Sequence, residues 1–166
     1  MSRHRKNCQS ESAVCPRCGQ AGRAVSEETV GSLVTDQAAA KLGRMSGFWF
    51  CPTANCGVVY FRAGSGEWVS QEEVRVTVFQ KSADPKRLVC YCFGHSVEAV
   101  QSKVRAGGGS RILEDIKSRC ARGLDDCEHT NPQGSCCLGN VQRVFREVSG
   151  GKGAEGSCGC CHGDVE

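Results

Sequence analysis

Apolar and polar positions change rhythm along the chain. From Phe48 onward, short β-rich runs follow one another: Phe48-Trp49-Phe50-Cys51, Gly57-Val58-Val59-Tyr60-Phe61, Glu67-Trp68-Val69 and Val74-Arg75-Val76-Thr77-Val78-Phe79. The last alternates apolar and polar residues with period two, the mark of a half-buried strand. Ahead of these runs, residues from about Glu27 to Leu42 predict one helical stretch. Beyond residue 88 the period lengthens. Ser96 predicts an N-cap for a helix to about Ala106, which Gly107-Gly108-Gly109 ends. Ser110 predicts the cap of a second helix, Arg111 to about Cys120, with Ile112, Leu113 and Ile116 on one face. A third runs from about Leu138 to Val148, where Val141, Val144, Phe145 and Val148 fall at i, i+3, i+4 and i+7.

These runs divide the chain. Residues 1–13 are polar and predict a disordered N-terminus. Residues 14–87 predict a β-rich module, with Asp84-Pro85 and Lys86-Arg87 as a linker. Residues 88–149 predict a helical module. Residues 150–166 are Gly-rich, without hydrophobic pattern, and predict a flexible, Cys-rich tail. The fold class is α+β: a small zinc-ribbon-like β module followed by a three-helix module.

Composition sharpens this picture. The chain has 166 residues, of which 14 are cysteine, while aromatics make up only 6%. So modest an apolar core calls for something besides hydrophobic burial. Met1 to Ser12 has basic residues but no apolar segment of a secretory signal. The expected place is therefore the cytoplasm, where thiols stay reduced and many cysteines mean metal ligands or redox chemistry. A formal charge of +3 gives no strong nucleic-acid signal. No apolar run reaches the roughly 20 residues of a membrane helix. There is no catalytic Ser/His/Asp spacing, phosphate-binding loop or dinucleotide fingerprint. An enzyme in the usual sense is not expected, one-electron reduction of a metal ion aside.

Cys15 and Cys18 form a C-x-x-C knuckle followed by Gly19, and Cys51 and Cys56 form a C-x4-C pair followed by Gly57. Four thiolates can enclose zinc tetrahedrally, and a closed set of four leaves no position for substrate, so the expected site is structural. Cys90-Tyr91-Cys92 is different. Its two thiols sit too close for a zinc knuckle but suit one iron gripped from a loop before a helix. A second iron needs two more thiolates for an all-thiolate 2Fe–2S cluster. Cys120, Cys127, Cys136 and Cys137 are available, and spacing alone does not choose among them. Helix N-termini at Ser96 and after Cys137 would direct N–H groups toward an anionic cluster.

Val89-Cys90-Tyr91-Cys92-Phe93-Gly94 and the stretch Asn131-Pro-Gln-Gly-Ser-Cys136-Cys137-Leu-Gly-Asn140-Val141 resemble the N-terminal domain of CopZ-type copper chaperones. Cys15-Pro-Arg-Cys18-Gly19, Glu28-Thr29-Val30 and Val58-Val59-Tyr60-Phe61 also resemble that family. The likeness covers about residues 14–149. It implies a mononuclear zinc in the first module and a 2Fe–2S cluster in the second, which is similar to bacterioferritin-associated ferredoxin. It also implies the cluster ligands Cys90, Cys92, Cys127 and Cys137, with Cys136 the close competitor. Cys120 is then a buried or spare thiol. Where the family often has a further cysteine, this chain has Asp125.

The implied activity is handling of copper or a related thiophilic metal, with reduction of Cu(II) to Cu(I). The implied partners are a copper-transporting ATPase or a separate copper chaperone, and an unidentified electron donor. The family's ferredoxin-like copper domain, with its M-x-C-x-x-C loop, has no counterpart in these residues. Cys158, Cys160, Cys161 and His162 offer three thiols and an imidazole suited to Cu(I) or another thiophilic ion. A plain one-electron carrier without metal cargo is the alternative function. His95 is expected to cap a helix or lie on the surface, and His129 could replace a thiolate. Trp49, Trp68 and Tyr60 are expected in the β-module core. Arg143 and Arg146 are expected on a solvated face.

Overall fold

Tyr60 lies at the centre of the first half and explains its layering. The computed structural model describes residues 13–150. Strands β1 (Arg23–Ala24), β2 (Phe48–Phe50), β3 (Val58–Arg62) and β4 (Trp68–Ser70) form an antiparallel sheet in chain order. Phe50 pairs with Tyr60 and Trp49 with Phe61. All five residues of β3 are buried, because both faces of the sheet are covered. Val59 and Tyr60 join the core under helices α1 (Glu27–Leu33) and α2 (Asp36–Leu42). Val58 and Phe61 face a smaller cluster with Cys15, Cys51 and Cys56. Arg62 closes the strand, buried, stacked 4.4 Å from the Phe48 ring centre and paired with Glu67.

The stretch from Glu27 to Leu42 is two helices rather than one. Ser26 caps the first by accepting from the Thr29 N–H at 3.2 Å, and Thr35 caps the second by accepting from the Ala38 N–H at 3.3 Å. A second N-cap residue inside the stretch offers the backbone an alternative to continuing. Val34 takes it, adopting an extended conformation and bridging to Val74. That bridge also corrects the run Val74 to Phe79, which is not a strand. Beyond Val74 no neighbouring strand offers it a ladder. Its polar groups are served by the Tyr91 hydroxyl instead, which donates to the Thr77 carbonyl at 2.6 Å and accepts from the Phe79 N–H at 2.9 Å. Trp68 is a further correction: it is 42% exposed, with the Arg17 guanidinium 5.9 Å from its ring centre.

The second half begins with a hairpin not foreseen from the pattern, β5 (Leu88–Cys90) against β6 (His95–Ser96). Gly94 turns it at φ +70°, a conformation that favours glycine. Three long helices follow: α3 (Val97–Arg105), α4 (Gly109–Ala121) and α6 (Leu138–Ser149), with the single turn α5 (Cys127–Thr130) between the last two. Ser96 caps α3, accepting from the Ala99 N–H at 3.2 Å. The N-cap of α4 is Gly108, not Ser110. Gly109 is needed inside that first turn because a Cβ there would lie 2.5 Å from Phe145 and 2.6 Å from Val104. Val97, Val100, Ile112, Leu113, Ile116, Val141 and Val144 make the helical core, which Phe79 enters from the first half.

The halves are joined by specific polar contacts. Tyr60 donates its hydroxyl to the Pro132 carbonyl at 2.7 Å, and Gln80 Nε2 donates to Gln133 Oε1 at 2.8 Å. No helix among the described residues is long and apolar enough to cross a membrane.

Candidate metal centres

Four of the cysteines meet where the Cys15 knuckle folds against the end of β2. The Cys15 N–H donates to the Gln20 carbonyl at 2.8 Å, and the Gly19 N–H to the Cys15 carbonyl at 2.9 Å. This tight turn aims two sulfurs one way, with Gly19 at φ +71°. Cys51 directly follows β2 and Cys56 precedes β3, so the sheet fixes their separation. Cys15 Sγ lies 3.8 Å from Cys56 Sγ, and Cys18 Sγ 3.6 Å from Cys51 Sγ. All four sulfurs lie within 4.8 Å of one another. A tetrahedral zinc with Zn–S bonds of about 2.3 Å has sulfurs about 3.8 Å apart along each edge, so this donor set fits the ion.

The surroundings suit thiolates. Thr53, 3.4 Å from Cys18 Sγ, brings that thiol down to about 6. Burial pushes Cys51 up to about 12 and also raises Cys56, so these groups resist ionising without a cation. Lys81 Nζ donates to the carbonyls of Thr53 and Cys56 at 2.8 and 3.0 Å, pinning the second loop and placing a positive charge beside Cys51. Neither Thr53 nor Lys81 was singled out in the sequence. Thr53 lies inside the C-x4-C loop, where a hydroxyl is a readable signal; Lys81, 25 residues past Cys56, left none.

The second gathering of thiols lies between β5, α5 and the start of α6. Cys92 Sγ is 3.2 Å from Cys127 Sγ. Cys137 interacts electrostatically with both Cys127 and Cys90, and Cys136 with Cys127. The four thiols implied by the family resemblance are thus brought together, with the competing fifth beside them. Cys120 is buried in the same helical core, on α4. Cys137 is the N-cap of α6. The Asp126 N–H donates to Cys92 Sγ at 3.2 Å, and Thr130 Oγ1 lies 3.4 Å from the same sulfur.

Crowding dominates the electrostatics. Hydrogen bonds from Cys127 and then Cys90 bring Cys137 down to about 4, and contact with Cys127 brings Cys92 down to about 7. The partners shift the other way: Cys90 is raised first by Cys137, and Cys127 by Cys136, Cys137 and Cys92. Neighbouring thiols cannot all ionise unless a cation compensates them. Buried sulfurs with backbone N–H donors at the edge are a donor set that fits an iron–sulfur cluster. An open cavity of about 310 Å³ beside this group is rimmed by Asp125, Asp126, Glu128 and Cys136.

His129 points elsewhere: its Nδ1 is 2.6 Å from Asp126 Oδ1 on the exposed side of α5. His95 is half-buried, with Nε2 shielded from solvent and lacking a hydrogen-bond partner. Arg143 is drawn onto the Phe79 ring, 5.0 Å from its centre, rather than simply solvated. Cys158, Cys160, Cys161 and His162 lie outside the described residues.

Residues 12–75 match the zinc-binding domain family zf_CopZ. All four cysteines of the first gathering fall within the matched residues. The chain is also 29% identical over 140 residues to the copper chaperone CopZ of Archaeoglobus fulgidus, a match covering 84% of this chain. It spans 65% of that relative's length. Among solved structures it is similar to the X-ray structure of the Archaeoglobus fulgidus CopZ N-terminal domain, with TM-score 0.66 and 28% identity. That likeness covers 79% of this chain and 96% of the CopZ chain, reaching beyond the zinc-binding region.

Proposed function

We propose that the chain is a metallochaperone-like redox protein, holding a structural zinc and a 2Fe–2S cluster, that acts in handling copper or a related thiophilic metal. The observation that carries this reading is the second gathering of thiols, Cys90, Cys92, Cys127 and Cys137, lying apart from the first four. Similarity to a copper chaperone along most of the chain supports the choice of metal. In this reading, residues 14–87 carry zinc on Cys15, Cys18, Cys51 and Cys56, and residues 88–149 carry the cluster.

A cluster bound there supplies a one-electron couple, matching the step from Cu(II) to Cu(I). The chain's own residues set the conditions for it. The Asp126 amide and the Thr130 hydroxyl stabilise negative charge on Cys92 sulfur. Leu138 and Val141 of α6 are buried in the core that holds Cys90 and Cys137, keeping water from those sulfurs. Asp125, Asp126 and Glu128 at the rim attract a cationic substrate such as Cu(II). Cu(I), once formed, prefers thiolates, and Cys158, Cys160, Cys161 and His162 are proposed to capture it. A copper-transporting ATPase or separate copper chaperone would take the cargo, an electron donor would restore the reduced state, and the work would take place in the cytoplasm.

The test is metal and sulfide analysis of the anaerobically purified chain, with visible spectra before and after dithionite. About two irons, two sulfides and one zinc per chain are expected, with bleaching on reduction. Cys92→Ser should lose the visible bands and keep zinc. Deletion of residues 157–166 should lower Cu(I) stoichiometry and leave the bands intact. Zinc without sulfide would sink the redox reading.

A further inference from the structure

Cys136 and Cys137 are neighbours in the chain but face different surroundings. Cys137 is buried, at 1% exposure, in the core that also holds Cys90. Cys136 is only part-buried and lines the open cavity with Asp125, Asp126 and Glu128. The dihedrals on either side of the peptide they share decide which of the two thiols turns inward. Whatever holds that peptide therefore chooses between them.

Gln133 holds it. The residue is buried, at 6% exposure. Its Nε2 donates to the Cys136 carbonyl at 3.1 Å and to Ser135 Oγ at 3.2 Å, with the Ser135 carbonyl at 3.4 Å. At the other end of the amide, Oε1 accepts from Gln80 Nε2 at 2.8 Å and from Asn140 Nδ2 at 2.9 Å. Two donors on the oxygen leave one orientation for the amide, with its N–H groups toward the loop. Both anchors are fixed in their turn. Asn140 lies in the first turn of α6, and Gln80 belongs to the short turn Phe79–Lys81 of the other half. Asn131 serves the same loop differently. Its Oδ1 accepts from the Gln133 N–H at 3.2 Å and its Nδ2 donates to the Ser135 carbonyl at 2.7 Å, closing the turn one residue short of the Cys136 carbonyl. A buried amide satisfied at both ends is costly to disturb, because each partner is left without its bond.

We propose that Gln133 is a positioning residue that makes Cys137, rather than Cys136, the inward thiol of the second gathering. Where ligands are concerned, this rests on reading that gathering as a cluster site. Where the placement of the two thiols is concerned, it holds with or without a cluster. Once Gln133 lets go, the shared peptide is able to turn and the two thiols compete for one place.

The experiment follows iodoacetamide alkylation of the full chain, purified anaerobically, with tandem mass spectrometry separating Cys136 from Cys137. In the parent chain Cys136 should react at least about tenfold faster, since burial shields a thiol. Gln133→Met and Gln133→Glu should each bring that ratio below about threefold. The glutamate is the sharper variant. It keeps the acceptor for Gln80 and Asn140 but, ionised, has no proton for the Cys136 carbonyl. It also carries the test should Gln133→Met fail to fold. Gly109→Ala, which strains the helical half away from this loop, should keep the parent ratio. Where iron and sulfide are bound, the visible bands give a second readout. In the parent, Cys137→Ser should lose them and Cys136→Ser keep them; in the Gln133→Glu background both should keep part of them. A chain free of iron and sulfide would sink the cluster reading alone, and the alkylation ratio would still decide the role of Gln133. A smaller ratio in the parent, a ratio that Gln133→Glu leaves above about threefold, the same narrowing in Gly109→Ala, or bands that still depend on Cys137 alone in Gln133→Glu would overturn the assignment.

Discussion

The two thiol gatherings are built by opposite means. Around Cys15, two short loops each present a pair of sulfurs, and the sheet between them fixes the geometry. The contacts at 3.6 and 3.8 Å are already close to those of a tetrahedron around one ion. Around Cys90, the sulfurs come from a strand end, a single helical turn and a helix N-cap. No one loop controls them, and a fifth thiol stands beside the four. A site defined by local loops is complete in itself and suits a permanent ion. A site assembled from three separate elements depends on the packing of the whole half. It also opens onto an acidic rim, where exchange with a charged visitor is possible. On the proposed function, the difference separates a staple from a working site.

The sharpest way to break this comparison is to remove one sulfur from each gathering. Cys15→Ser should lose zinc and melt the β half, because zinc binding contributes about 10 kcal/mol or more to folding in small zinc domains. Cys92→Ser should leave the zinc half folded. Zinc content, with near-ultraviolet circular dichroism reporting the tryptophans, reads both; equal losses in the two variants would show that the gatherings are not separable. Gly109→Ala acts on the helical half alone. Its methyl would meet Phe145 and Val104, costing about 1–3 kcal/mol through overpacking, and should lower the helical transition in urea without releasing zinc.

Tyr60→Phe tests the join. It leaves the Pro132 carbonyl without its donor, at a cost of about 1–2 kcal/mol, and should lower both halves together in urea melts. The smallest effect concerns Glu73, held below the usual carboxylate range by Lys41 first and then the Ser70 N–H. A lowered carboxylate stabilises the fold above its unfolded value, near 4.3, and that stabilisation is lost as pH falls through the folded value. Glu73→Gln should therefore cost about 0.5 kcal/mol at pH 7 and progressively less as falling pH protonates the folded carboxylate.

The helical half was the more legible in local structure, because caps and period agree there. Ser96 starts α3, and the apolar spacing of Val141, Val144 and Phe145 marks α6. The β half was legible at its cysteines but less so between them. Val74 to Phe79 has the alternation of a strand, yet a strand needs a neighbour, and here Tyr91 answers Thr77 and Phe79 instead. The break at Val34 was hidden because Thr35-Asp36 reads equally as helix interior or as a new start. Gly108, not Ser110, caps α4, and Phe145, far along the chain, closes on its first turn at Gly109. Partners distant in sequence decided each of these, and period and propensity carry no information about them. At the two thiol gatherings, spacing and resemblance pointed to cysteines that the fold places near one another. Lys81, which anchors the Cys56 loop, left no trace in the motif.

The Tyr91 hydroxyl has one more consequence. It sits between Cys90 and Cys92 and is fastened to the backbone at Thr77 and Phe79. The chain between those anchors thus has a fixed span to cover, like a ruler with both ends nailed down. A residue deleted among positions 80–89 would release Tyr91 or drag the two flanking sulfurs out of place. A surface connector that usually tolerates such changes should here tolerate lengthening at its exposed positions 83–86 but no shortening, so a minimum length, more than its composition, should be what survives over time.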